Sequence, residues 1–431
     1  MLCAANRKLT AMQDAAVHQE SDPMTLRRVV FWTHLGVGAS AAIVILMMSV
    51  TGVILTYEMQ LNEWARKDYR AAPPAPGVAP LPADTLLERA GTASSEAEPS
   101  SIAIGHDPLS PAAVAFGRAR TLYVDRYTGE IRGDGDTSMR RFLRGVLYVH
   151  RWFALEGDGR AFGRAITGAA NLGFLFLVVS GFYLWWPRNW TRRALRNVTW
   201  FRPRLSPKAR DFNWHNVIGF WMAVPLAIVV ASGAMISYGW VGDLIYFAVG
   251  EERPSSGPPR AATASATGED AEQPAEAVSR VSYQAILEEA ASESPGWRRL
   301  TLQLPDADDA PLTVQVDRGS GRQPAKWTNL TFDQSSGSLT ARSSGLPESR
   351  GLRIIYWLRF AHTGEVYGIA GQTIAGLASA GSAVLVWTGL ALAWRRWRSW
   401  RRRRKPDPLA TNAPAQPVPV PAALGSLSRR T

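Results

Sequence analysis

Hydrophobic positions along this chain fall into blocks. Residues 35–57, 165–186, 212–242 and 366–394 contain no Asp, Glu, Lys or Arg. Each block exceeds the ~18 residues that read as a membrane-crossing helix. Between the first two blocks the period changes. The stretch "PADTLLERAG" has helical spacing, whereas "SSIAIG", "AAVAFG" and "RTLYVDRYTGEIRG" read as strands. The last of these turns back at Asp125, Thr128 and Gly129. A second polar segment repeats the order: "SYQAILEEAA" as helix, "RLTLQLP" and "PLTVQVD" as strands, then "NLTFDQSSGSLTA" with Asp333, Ser336 and Gly337 at its turn. The pattern predicts an α-helical membrane protein: a four-transmembrane-helix bundle with two small α+β modules outside the membrane.

Charge orients the spans. Arg27 and Arg28 precede the first, eight Lys and Arg residues separate the second from Asp211 on the third, and "RRWRSWRRRRK" follows the fourth. Basic residues beside spans mark the cytoplasmic side. The expected layout is a cytoplasmic tail at 1–28, a span at 29–57 and a first outer module at 58–149. A pre-helix and span at 150–187, a basic cytoplasmic loop at 188–210 and a span at 211–242 follow. A linker with the second outer module then covers 243–355, a pre-helix and span 356–395, and a basic, Pro-rich cytoplasmic tail 396–431. The net charge of +12 is accounted for by topology and lipid headgroups, and nucleic acid is not expected as a partner. The lone cysteine, Cys3, excludes disulfide frameworks, thiolate zinc knuckles and covalent haem attachment.

The chain reads as a twofold repeat. His34, Gly38 and Gly52 match His215, Gly219 and Gly233 at identical spacing, and Gly163, Gly168 and Gly181 match Gly371, Gly376 and Gly389. Ser or Thr precedes the last glycine each time, at Thr51, Ser180, Ser232 and Thr388.

Four of the six histidines, His34, His150, His215 and His362, stand where apolar segments begin. His18 and His106 lie in polar sequence and are assigned no role. With the orientation above, His34 and His215 enter from the inner side, while His150 and His362 sit outside, so the four form two pairs. His34 and Gly52 are five helical turns apart on one face, about 27 Å along the axis, as are His215 and Gly233. An imidazole at one end and a bare backbone at the other suit a flat ligand gripped from both sides. Gly38, Gly52, Gly181, Gly219, Gly233 and Gly389 would make room for its ring. The reading is two bis-histidine b-type haems, with the four histidines as axial iron ligands. Zinc or copper is the other possibility, although two imidazoles without a carboxylate or thiol make a poor zinc site. Arg151 and Arg359 outside, and Arg28 and Arg210 inside, could pair the propionates or serve as interfacial residues. Trp32, Trp152, Trp214, Trp357 and Trp394 are expected in the aromatic belt. The outer histidines are expected on short pre-helices that break at residues 156–159 and near Thr363–Gly364.

At "FWTHLGVGASAAIVILMMSVTGVILTYE", "LYVHRWFALEGDGRAFGRAITG", "FNWHNVIGFWMAVPLAIVVASGAMIS" and "FAHTGEVYGIAGQTIAG" the chain resembles the PepSY-associated transmembrane proteins. "LYVDRYTGEIRG" is similar to the end of a PepSY module. The resemblance covers most of residues 25–400 and implies PepSY-like outer modules and a bacterial inner-membrane location with both termini cytoplasmic. It also implies a di-haem oxidoreductase of the siderophore-reductase type. His34 and His215 would carry the inner haem, and His150 and His362 the outer. A ferric siderophore or other ferric chelate would be reduced in the periplasm. The second module departs from a clean PepSY pattern. With no flavin or nicotinamide fingerprint in the chain, electrons would come from a quinol or a cytoplasmic reductase. Two other readings fit the same residues: a haem-free PepSY-type regulatory or binding protein, and an electron-transfer subunit for a different periplasmic acceptor.

Overall fold

The computed structural model describes residues 25–94, 97–117, 120–186, 191–254, 281–305 and 310–403. Cys3, His18, most of the linker and the Pro-rich tail lie outside them. The described elements run α1 (Leu26–Leu55), α2 (Glu58–Ala65), α3 (Ala83–Thr92), β1 (Ser101–Gly105), β2 (Ala112–Phe116), β3 (Arg120–Val124), β4 (Ile131–Asp134) and α4 (Ser138–Trp152). They continue α5 (Gly159–Trp185), α6 (Arg192–Thr199), α7 (Pro207–Ser237), α8 (Gly239–Ala248) and α9 (Tyr283–Ser292). The last are β5 (Arg299–Gln303), β6 (Leu312–Asp317), β7 (Trp327–Phe332), β8 (Leu339–Ser344), α10 (Arg350–His362) and α11 (Gly368–Arg403).

Helices α1, α5, α7 and α11 are long and apolar enough to cross a membrane. Their apolar side chains face outward: Ile43 is 77% and Val224 70% exposed, which only lipid makes favourable. The four pack in a ring, α1 beside α5, α5 beside α7, α7 beside α11 and α11 beside α1, alternating in direction. Thus α1 and α7 stand diagonally opposite. Polar contacts tie the interior. The Ser49 and Ser382 hydroxyls lie 2.7 Å apart, and the buried Asn171 donates to the Val230 carbonyl at 2.9 Å.

Helix boundaries differ from the sequence expectation at both outer histidines. The outer histidines were expected on short pre-helices starting at 150 and 356, and each closes a helix that starts earlier, α4 at Ser138 and α10 at Arg350. The apolar block is the wrong guide to their starts because α4 and α10 carry arginines among their apolar positions. Thr137 and Ser349 start them, each accepting from a backbone N–H three residues on. After α4 the chain reverses through Phe153 and Ala154 at φ 57° and 59°; after α10 it does so through Gly364 at φ 77°. The third apolar block, expected to 242, breaks at Tyr238 into α7 and α8.

The strands fall where alternation places them, but the two expected modules are not separate. Strand β1 pairs antiparallel with β5, giving one eight-stranded sheet in the order β4-β3-β2-β1-β5-β6-β7-β8. Helices α3 and α9 cover one face, and a common core runs through Leu86, Ile102, Val114, Ile286, Leu302, Val314 and Leu330. The helices cap each other: Asp84 accepts from Tyr283 N and Gln284 N, and Gln284 Oε1 accepts from Ala83 N. Such reciprocal capping is invisible from either helix sequence alone.

The two Asx turns have the chemistry expected of them. Asp333 accepts from the Ser335 and Ser336 hydroxyls and backbone N–H groups, which hold its carboxyl down at about 2. Burial pushes the Asp125 carboxyl up, but the Arg132 guanidinium at 2.6 Å and the Tyr127 and Thr128 N–H groups outweigh it, leaving it below 3.8. A carboxyl depressed in the fold stabilises it at neutral pH, and that share is lost as pH falls through the folded value. Asp125→Asn is expected to cost about 2 kcal/mol at pH 7. It should also flatten the fall in melting temperature below pH ~4, both read from thermal melts across pH.

Arg322 locks the sheet to the bundle. It reaches Glu58 at 3.2 Å and the buried Glu365 at 2.9 Å, while Gln323 donates to the Val366 carbonyl. On the other flank Arg66 lies over the Tyr123 ring.

Candidate functional site

All four histidines point into the bundle region, and each meets the same pair of groups. His34 Nδ1 lies 2.8 Å from Ser180 Oγ, and its Cε1 is 3.3 Å from where a Cβ on Gly181 would stand. His215 meets Thr388 at 2.9 Å and Gly389 at 3.4 Å in the same way. His150 meets Thr51 at 2.8 Å and Gly52 at 3.8 Å. His362 meets Ser232 at 3.2 Å and Gly233 at 3.2 Å, and also approaches the Val229 carbonyl at 2.8 Å.

These contacts fix the tautomer. Each hydroxyl has one proton and gives it to the carbonyl one turn back: Ser180 to Phe176, Thr388 to Val384, Thr51 to Met47 and Ser232 to Ile228. The hydroxyl oxygen therefore accepts from the imidazole, so Nδ1 carries the hydrogen. At His362 the Val229 carbonyl, which can only accept, requires the same. Every Nε2 is left with its lone pair available.

The histidines group by depth. His34 on α1 and His215 on α7 occupy the end away from the sheet, on diagonal helices, within electrostatic reach of each other. His150 on α4 and His362 on α10 sit at the sheet end, with ring centres 6.3 Å apart and planes at 63°. Two imidazoles sharing one metal about 2 Å from each nitrogen have centres about 6 Å apart.

The glycines of the four Ser/Thr-Gly pairs lie beside the imidazoles. Gly52, Gly181, Gly233 and Gly389 were expected to clear space for a ligand ring. Each stands beside an imidazole from a neighbouring helix, and Gly52 meets the Ser379 hydroxyl more closely still, at 3.2 Å. Gly38 and Gly219 face Leu177 and Leu385 at 3.7 Å. Sequence separation shows which glycine shares a face with a histidine on its own helix, but not which histidine from another helix fills the gap.

Arg151 stacks over Trp152, whose buried indole N–H has no hydrogen-bond partner among the described residues, and Arg160 lies over the same ring. Arg359 is one turn before His362, exposed and in no ion pair among the described residues. At the other end Arg210 pairs with Asp211 at 3.0 Å and stacks on Trp214. Asp211 also takes Arg395 at 2.5 Å. Arg28 makes no ion pair among the described residues.

Several residues that matter were not singled out for a role. Thr51, Ser180, Ser232 and Thr388 were noted only as repeat markers. Asn171 packs beside Gly233. Glu251 accepts from Ser349 Oγ, Gly351 N and Arg350 N, which seats α10 and pulls the Glu251 carboxyl below its ordinary value.

The chain matches the PepSY-associated TM region over residues 31–396. It belongs to that family. The matched stretch takes in all four apolar helices and the sheet, so this PepSY-associated protein is a membrane protein. Compared with curated proteins, it matches none.

Proposed function

We propose that this PepSY-associated protein is a di-haem electron carrier of the bacterial inner membrane, reducing a ferric siderophore or another ferric chelate in the periplasm. The observation that carries the proposal is the set of four imidazoles, all with Nδ1–H tied to a Ser or Thr hydroxyl and Nε2 free, grouped two and two by depth. His34 and His215 would hold one b-type haem and His150 and His362 the other.

The donor set favours haem over a bare ion. Among the described residues no three His, Cys, Asp or Glu converge as a metal cage. A metal at either pair therefore has two protein ligands and must take the rest from a ligand of its own. A haem supplies four ring nitrogens and a one-electron couple.

The chain's own groups then do the tuning. The hydroxyls orient each imidazole and raise its basicity by accepting from Nδ1–H. The glycines permit the close approach. Arg151 and Arg359, with the unpaired Trp152 indole N–H, supply donors for carboxylates at the sheet end. Basic sequence flanking the spans supports the cytoplasmic placement of both termini, and hence a periplasmic sheet. The recurring hydroxyl–imidazole–glycine contact and the matching helix-plus-four-strand units support a duplicated ancestor and two fused PepSY-like modules. Ferric iron prefers the hard oxygen donors of a chelate; the ferrous product fits them less well and is released. A quinol or cytoplasmic reductase would supply the electrons.

The test is spectroscopic. Protein purified in mild detergent should show sharp reduced α and Soret bands with dithionite, at about two haems per chain. The reduced bands should collapse on adding a ferric chelate. A colourless preparation that binds no haem overturns the proposal. A reduced spectrum that ferric chelates leave unchanged keeps the haems and removes the substrate.

A further inference from the structure

Between α5 and α7, at the end away from the sheet, α6 is an amphipathic helix of eight residues, too short to persist alone. Helix α7 builds it in place. Asn213 Nδ2 donates to the Asn197 and Trp200 carbonyls at 3.0 and 3.1 Å, and its Oδ1 accepts from Arg202 N at 3.1 Å. Trp221 Nε1 donates to the Thr199 carbonyl at 2.9 Å. The segment is thus held against the bundle at four backbone atoms, and the Thr191 side chain caps its own helix by accepting from Ala194 N.

What this scaffold holds is an uncompensated cluster of cations. Arg192, Arg193, Arg196 and Arg202 line a cleft of about 570 Å³, and no acidic residue occurs between 187 and 210. None of the four joins an ion pair among the described residues. Four guanidiniums in one cleft repel one another unless an anion is present. At the cleft's edge Trp200 and Phe201 are 66% and 57% exposed, the amphipathic aromatics of a bilayer border. A free phosphate would satisfy the arginines alone. A lipid phosphate satisfies the arginines while its acyl chains cover the aromatics.

We propose that this cleft is a binding site for the phosphate headgroup of an anionic phospholipid. Arg192, Arg193, Arg196 and Arg202 donate to the phosphate oxygens, and Asn213 and Trp221 act as positioning residues by fixing the helix that carries three of them.

The full-length protein, delipidated by detergent washing, is placed in phosphatidylcholine nanodiscs with and without phosphatidylglycerol, and retained lipid is counted by native mass spectrometry. The native chain should retain phosphatidylglycerol and not phosphatidylcholine. The triple variant R192Q/R193Q/R196Q should weaken retention on the order of a hundredfold. The triple variant R398Q/R401Q/R402Q, with the same charge change at the same end of the bundle, should leave it unchanged. Equal losses in the two variants would show a diffuse surface charge and overturn the site. Displacement of the lipid by millimolar inorganic phosphate would assign the cleft to a free anion and overturn the lipid. If the first variant does not fold, selectivity of the native chain decides, and retention of both lipids alike overturns the proposal. None of these readouts involves electron transfer, so the proposed redox function stands or falls separately.

Discussion

Replacing His362 by alanine is expected to halve the haem content, from about two per chain to about one, and replacing His150 should do the same. The reason is pairwise ligation: each residue would contribute one of two axial nitrogens, and the survivor alone holds a haem far less firmly. The double variant His150→Ala/His362→Ala should therefore lose no more than either single change, because residues acting as a unit are not additive. His34→Ala combined with His362→Ala should lose both haems, since those residues belong to different pairs. Pyridine-haemochrome content per chain gives the count. Reductive titration shows which couple is missing, since the sheet-end site has Arg151 close by and the other does not. Four single variants that each retain two haems would sink the assignment of these histidines as ligands. The hydroxyl partners give a milder signature. Ser180→Ala or Thr388→Ala leaves an Nδ1–H without its acceptor, so the haem should stay while its potential rises, as an imidazole loses basicity.

The second large effect is structural. Gly163→Ala and Gly371→Ala should each destabilise the protein by about 3 kcal/mol or more. A Cβ on Gly163 would stand 2.0 Å from the Trp152 carbonyl oxygen, and one on Gly371 would stand 2.1 Å from that of Gly364. Both obstacles are backbone, so no rotamer change relieves them. The contacts are equivalent: each glycine lets the loop that follows an outer-histidine helix cross the start of the next span. Adding the methyl pushes α4 or α10 outward, and with it His150 or His362. The expected outcome is a lowered melting temperature in detergent, with haem lost from the sheet-end pair first. Gly145→Ala is the control. Nothing lies within 4 Å of its added carbon, so alanine there should stabilise α4 by up to ~1 kcal/mol. Equal stability for all three variants would mean that these crossings are looser than described.

Much of this site is legible in the sequence, and the remainder has a common cause. The four histidines, their depth and the Ser/Thr-Gly dipeptides follow from charge gaps and matched spacing. Yet Gly181 shares a site with His34, 147 positions away in the chain, and no periodicity joins them. Arg210 illustrates the limit in another way. It reads as a propionate partner or an interfacial residue beside a span, and nothing in the sequence shows that Arg395, from the far end of the chain, joins it on Asp211.

The sequence by itself determines the elements that local physics controls. Apolar runs too long for a soluble core become spans, and alternating segments become strands. These follow from the cost of exposing backbone or charge in lipid, paid residue by residue. Only the tertiary structure decided that β1 meets β5 to fuse two modules into one sheet. It alone decided that each glycine receives a neighbour's imidazole, and that four arginines gather in one unneutralised cleft. Such outcomes depend on how separate elements pack, and packing selects partners by shape and hydrogen bonding between residues that the chain keeps far apart.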